Sequence, residues 1–190
     1  MTRLLALLLG LFACATLSAG DTLVLVDTDR QELRVIKGGD EVLHIPRIAI
    51  GRGGTSHLRE RGDRTTPLGD FRVAWVNYNS RFHMFFGLDF PNLQHARLAY
   101  NEGVMELDEL LDVTDALRAR ELPPQRTAVG GHIGIHGLGR ANPNIHSRTN
   151  WTRGCIAVTN QEVEALAEYV SIGTRVIVTA DEDIIAQARR

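Results

Sequence analysis

Sulfur is scarce in this chain. Its 190 residues hold only Cys14 and Cys155, too few for the disulfide framework on which small secreted domains rely. Six prolines against 18 glycines exclude a collagen-like fibre. Neither sign of charge is in large excess: the formal net charge is -2, so the basic surplus needed for a sequence-independent grip on nucleic acid is missing. Beyond residue 20 no apolar run is long enough to span a bilayer. What remains, 44% hydrophobic and 23% charged residues, is ordinary composition for one globular domain that buries its own core. No repeat, low-complexity tract or linker divides it.

The first twenty residues have a different character. Arg3 is followed by the short apolar run Leu4 to Ala13 and then by the small residues Ser18-Ala19-Gly20, the pattern of a secretory signal peptide. The expected organisation is therefore a signal peptide over 1–20, one domain over 21–180 and a C-terminal tail over 181–190, with the mature protein in the periplasm or otherwise outside the cytoplasm. Leu11-Phe12-Ala13-Cys14 also resembles a lipoprotein processing site, although Phe12 is large where a small residue is usual, so lipid anchoring at Cys14 ranks second. Cleavage after Gly20 leaves Cys155 as a lone thiol. In an oxidising compartment such a thiol is either a small buried hydrophobe or a nucleophile kept because it is needed.

The domain reads as a series of short strands with a helical interruption. Leu23–Val26 and Glu32–Ile36 are strands, the latter with period-two alternation. Lys37-Gly38-Gly39-Asp40 is a hairpin turn leading into Val42–Ile50. Gly51–Thr66 reads as a loop and Phe71–Val76 as a further strand. From Phe90 to Thr127 the period changes: Glu106–Arg120 places Leu107, Leu110, Leu111, Val113 and Leu117 on one side of a helix, which Pro123-Pro124 stops. That insertion either covers one end of a site or pads the core. Strands return at His132–His136. Thr159-Asn160-Gln161-Glu162 is a capping box opening a helix through Tyr169, Gly173 ends it, and Thr174–Thr179 is a last β-branched strand. Asp181 caps a short C-terminal helix ending at Arg189 and Arg190.

Two segments carry chemistry. Gly131-His132-Ile133-Gly134-Ile135-His136-Gly137 is a strand ending at a glycine, and Asn150-Trp151-Thr152-Arg153-Gly154-Cys155-Ile156-Ala157-Val158 puts the lone cysteine after a glycine and just ahead of a helix. The polar loop between them is long enough for the two side chains to meet. A thiol near its ordinary pKa of about 8.5 is mostly protonated at neutral pH; a histidine in reach takes that proton and returns one to a leaving amine. Gly154 lets a substrate carbonyl approach the backbone, where the amides of Gly154 and Cys155 can form an oxyanion hole. Arg153 either favours the thiolate, binds a substrate carboxylate or pairs with a surface acid. His132 either supports the site or is a hydrogen-bonded histidine at the strand start, and Trp151 either stacks on substrate or joins the core.

The IHG segment together with GCIAVTN resembles the catalytic domain of the L,D-transpeptidases (the YkuD-like family), and Thr66-Pro67-Leu68-Gly69-Asp70-Phe71 resembles that family's TPxGxF segment. The stretch from Phe90-Pro91-Asn92 to Pro123-Pro124 resembles the helical insertion, about 90–125, of its exported murein-acting branch. The resemblance covers about Thr22 to Thr179. It implies a mostly β (α+β) fold, a β-sandwich with a helical insertion and a few flanking helices. It also implies Cys155 as acylated nucleophile, His136 as base, Gly137 as the source of a carbonyl that orients the histidine, and Gly154 as the motif glycine. The implied reaction is acyl transfer on peptidoglycan stem peptides. A thioester forms at the third residue of a tetrapeptide stem, D-Ala leaves, and an amine of another stem, a lipoprotein, a free D-amino acid or water takes the acyl group. No cofactor or metal is implied, and a monomer is favoured.

Departures from the family pattern are local. Thr152 and Arg153 precede Gly154-Cys155 where many members carry a hydroxyl residue and then histidine, and Ala157 stands where Arg or Asn is common. Arg153, Thr152, Trp151 and His132 are the substrate-binding candidates. Three alternatives stand beside transfer: an L,D-carboxypeptidase or amidase on the same fold, a non-enzymatic murein-binding domain, and a zinc site built from His132, His136, His146 and Cys155.

Overall fold

The computed structural model describes residues 22–181 and Ile184. The expected signal peptide, Cys14 and nearly all of the expected C-terminal helix lie outside the described residues. Ten strands and four helices follow in chain order: β1 (Thr22–Asp27), β2 (Glu32–Lys37), β3 (Asp40–Ile45), β4 (Thr55–Ser56), β5 (Thr66–Pro67), β6 (Gly69–Ser80), β7 (His83–Leu88), α1 (Leu93–Asn101), α2 (Leu107–Arg118), β8 (Gly134–His136), α3 (Pro143–His146), β9 (Ile156–Ala157), α4 (Asn160–Ala167) and β10 (Arg175–Thr179). Eight strands form one sheet in the order β3-β2-β1-β10-β6-β7-β8-β9, and β4 pairs with β5 apart from it.

The long strand β6 joins the two halves of that sheet. Its first residues pair with β10, from Gly69↔Val178 to Arg72↔Arg175, and its remainder pairs with β7. The register with β7 shifts between Val73 and Trp75, and a bulge of this kind bends a strand and increases its twist. The sheet therefore curls. The chain leaving β3 then meets β9, at the opposite edge: Ala49 N–H donates to Ala157 O at 2.9 Å, and Ala157 N–H donates to Ala49 O at 2.7 Å. The mostly β architecture expected from the resemblance is present, its layers being halves of one curled sheet.

Burial follows alternation along the strands. Val24, Val26, Leu33, Val35, Phe71, Val73, Phe86, Val176 and Val178 share one core with Ala96 and Ala99 of α1, Val113 of α2, and Val163 and Leu166 of α4. β7 is missing from the strands read in the sequence because His83-Met84-Phe85-Phe86-Gly87-Leu88 does not alternate; Phe85 to Leu88 are all buried. The strand expected over Val42–Ile50 stops at Ile45, where Pro46 lacks the amide to continue it, and resumes only as the bridge to β9. α2 ends at Arg118, short of the prolines. Among the described residues no helix is long and apolar enough to cross a membrane.

Candidate active site

β8 and β9 bring the two motifs together. They pair in parallel, Ile135↔Ile156 and His136↔Ala157, so the segment that enters β9 with Cys155 runs beside the strand that carries His136. α4 packs against β3, β7 and β8. It starts where the sequence places it, with both reciprocal bonds of the Thr159–Glu162 capping box formed.

His136 is held in one tautomer. Its Nδ1–H donates to the Gly137 carbonyl at 2.7 Å, and because a carbonyl only accepts, Nε2 carries the lone pair that can take a proton. The ring stacks on Phe82 at 4.2 Å and on Phe85 at 5.7 Å, with Trp151 edge-on at 6.0 Å. Burial among these rings pushes its pKa down to about 4; the Gly137 carbonyl opposes the shift, and the charges of Arg81 and His146 add to it. Gly137 admits no side chain, since a Cβ there would stand 2.7 Å from Phe82 O and 2.8 Å from Asn160 Oδ1. Asn160 has no role in the motif reading of the sequence, yet it clamps the loop after His136, accepting from Gly139 N–H at 2.8 Å and donating to Gly139 O at 3.1 Å.

Cys155 is free and half-buried. Its thiol donates to the carbonyl of His132 at 3.4 Å. Burial pushes the thiol up to about 11, against the pull of the Gly134 amide, which donates to the sulfur, and of the Arg59 guanidinium. Burial thus favours the neutral form of both the thiol and the imidazole at neutral pH.

The neighbours of Cys155 depart from several expectations. Gly154 N–H is not free for an oxyanion, because it donates to Thr152 Oγ1 at 3.1 Å. Nor does the missing side chain of Gly154 open a path for substrate: a Cβ there would lie 2.5 Å from Arg59 Nη1 and 2.6 Å from Thr65 O, and its φ of +123° already disfavours any other residue. Thr152 is buried and donates to Cys155 O at 2.7 Å, so its hydroxyl is committed to the turn ahead of β9 rather than free for a substrate. Arg153 is exposed. Trp151 is half-buried, its Nε1–H directed at His146 Nδ1 at 3.5 Å.

His132 is not on the strand with His136. It has a φ of 55° and precedes β8, its amide held by Gln125 Oε1 at 2.7 Å. Its exposed side chain lines a cavity of about 520 Å³ with Glu109 and Asp112 of α2 and with Gln125, Arg126 and Thr127. The helical insertion therefore forms a wall of the cavity that His132 lines, and the backbone carbonyl of that same residue accepts from the Cys155 thiol. Among the described residues no three His, Cys, Asp or Glu side chains stand close enough to hold a metal ion, so the four zinc-ligand candidates do not converge.

Arg59 is the residue that sequence reasoning missed. It lies in an arginine-rich loop, yet it is only 5% exposed. The guanidinium sits 5.6 Å from the centre of the Phe90 ring and reaches Asp63 only at 3.9 Å.

The family model of the L,D-transpeptidase catalytic domain matches residues 21–178. Among solved structures, the chain is similar to the helical cell shape determining protein Pgp2 of Campylobacter jejuni at 22% identity and a TM-score of 0.57, over 89% of this chain and 52% of that one. It is also similar to Bd1075 of Bdellovibrio bacteriovorus at 18% identity and a TM-score of 0.56, over 90% of this chain and 53% of that one. The chain thus spans about half the length of these two proteins, and at such identities the likeness is one of fold. No curated protein matches in sequence.

Proposed function

The chain belongs to the L,D-transpeptidase catalytic domain family, and on that premise we propose that it is a cysteine acyltransferase acting on peptidoglycan stem peptides outside the cytoplasm. The observation that supports this reading is the parallel β8–β9 pairing, which brings the segments of His136 and Cys155 side by side, together with the bond from His136 Nδ1–H to the Gly137 carbonyl, which leaves Nε2 free to act as base.

In the proposed reaction Cys155 Sγ attacks the carbonyl carbon of the third residue of a tetrapeptide stem while His136 Nε2 takes the thiol proton. The tetrahedral adduct collapses with cleavage of the C–N bond to D-Ala, and the imidazolium returns its proton to the leaving amine. The resulting thioester is taken by an amine or by water, which loses a proton to His136; the thiolate leaves and is reprotonated. The Gly134 amide at the sulfur and the Gly137 carbonyl on Nδ1 hold the two reacting groups during both steps. The cavity between α2 and His132 is the place for the part of the stem beyond the reacting carbonyl.

Incubation with purified tetrapeptide muropeptides, with and without a free D-amino acid, tests the reading by mass spectrometry. The expected outcome is an acyl adduct on Cys155, release of D-Ala, and an exchanged or cross-linked product, all absent in Cys155→Ala with its fold retained. Turnover that survives Cys155→Ala overturns it. Release of D-Ala with only a tripeptide product assigns water as acceptor.

A further inference from the structure

A buried guanidinium without full partners needs a reason to be there. Among the described residues, Arg59 has no hydrogen-bond partner for its buried Nε or Nη1, and leaving such groups unmet costs on the order of 1–3 kcal/mol each. Asp63 faces Nη2 at 3.9 Å and is itself engaged by the amides of Glu60 and Thr65 and by the Thr65 hydroxyl. Phe90 covers one face of the guanidinium. The unmet Nη1 fills the space that a side chain on Gly154, the residue before Cys155, would take. A fixed positive charge is thus lodged against the residue before the nucleophile, and the glycine leaves room for it.

We propose that Arg59 is a positioning residue for the reaction above, its unpaired guanidinium edge stabilising the negative charge that appears on Cys155 Sγ when the proton leaves for His136 and again when the thioester breaks. The inference rests on the acyl-transfer reading and adds to it the source of positive charge at the sulfur. His136 cannot be that source before attack, being neutral at working pH. Arg153, the arginine next to Cys155 in sequence, is exposed, where solvent screens it. Around the pair stand Asp63, which partly neutralises Arg59, exposed His132, whose carbonyl accepts from the thiol, and buried His95, on which Arg59 and His57 both act. A purely structural Arg59, tying its loop to Phe90, would leave the thiol's acidity alone.

Alkylation of Cys155 by iodoacetamide, followed by intact mass from neutral to alkaline pH, separates the two roles without any substrate. In Arg59→Met the midpoint of the rate profile moves up by about one pH unit, with a roughly tenfold slower rate on its lower limb. Arg59→Lys holds it near that of the parent protein. Asp63→Asn, which frees the guanidinium from its acid, moves it down. A folded Arg59→Met with an unshifted profile overturns the proposal, and so does a failure of lysine to rescue. If Arg59→Met does not fold, an Asp63→Asn profile that stays put or moves up overturns it alone. A parent thiol that resists alkylation at every pH defeats the nucleophile reading, and this proposal with it, whereas a reactive thiol indifferent to Arg59 defeats only the latter.

Discussion

Two histidines in this protein are held neutral by burial, and they do different things with it. His136 sits among rings at the site; His95 stacks on Phe71 at 5.0 Å, and its single N–H in the neutral form donates from Nε2 to the Leu68 carbonyl at 2.9 Å. Burial pushes both from 6.5 down to about 4. An unfolded chain protonates these rings near 6.5, the folded one only near 4, so the unfolded state binds more protons in between. Stability is therefore full above pH 6.5 and is lost as pH falls towards 4, by an upper bound of about 3 kcal/mol per histidine. Urea midpoints measured across that window should fall with acidification. His95→Gln should lower stability at neutral pH and flatten the acid slope; a slope equal to that of the parent protein would show that His95 takes no part in it. Activity should tolerate the same acid range only as far as the fold does.

At the scale of elements, the segment of Cys155 is tied to the helix that follows it. β9 runs within two residues into the N-cap of α4, where Thr159 Oγ1 accepts from Glu162 N–H at 3.2 Å and Thr159 N–H donates to Glu162 Oε2 at 2.7 Å. Thr159→Ala should cost about 1 kcal/mol, lowering Tm by about 2–4 °C for a chain of this size, with more rapid amide exchange in the first turn of α4 than elsewhere. A Tm equal to that of the parent would mean that packing of Val163 and Leu166 sets the helix start without the cap. This element was legible in the sequence because a capping box is a local device with a fixed spacing, and the same holds for the Lys37–Asp40 turn, where Gly38 and Gly39 have φ of 62° and 93°. The motifs around Cys155 and His136 were legible as a pair, and the strands that carry them, β8 and β9, are neighbours in the sheet. β7, buried on both faces, has no alternation to betray it, and Arg59 is written like its exposed neighbours Arg61 and Arg64. Whether an arginine is buried is decided by Phe90, Gly130 and Gly154, which are remote in sequence. Helical or strand period carries no trace of such a meeting, and neither does it reveal that Thr152 takes the Gly154 amide.

The whole molecule places Cys155 at a seam. β9 is the last strand in the sheet order and only two residues long, so by itself it is a poor anchor for a group that must be held within tenths of an ångström. Its other side is secured by the chain that leaves β3: besides the paired Ala49–Ala157 bonds, Thr152 N–H donates to Ile50 O at 3.2 Å, Arg52 N–H donates to Thr152 O at 3.1 Å, and Asn150 Oδ1 accepts from Ile50 N–H at 3.1 Å. Closure of the curled sheet thus runs along both sides of Cys155. Ala49→Pro removes one donor of that seam and strands the buried Ala157 carbonyl, at a cost of about 1–3 kcal/mol. The expected result is a Tm lowered by several degrees, together with amide exchange that rises selectively over residues 152–158 while β1, β2 and β10 keep their protection. The pH midpoint for alkylation of Cys155 should move down towards that of a free thiol, because a sulfur loosened from its burial is less costly to ionise. Unchanged exchange over 152–158 in the folded variant would mean that β8 alone holds Cys155 and that meeting of the sheet edges is incidental to the candidate site.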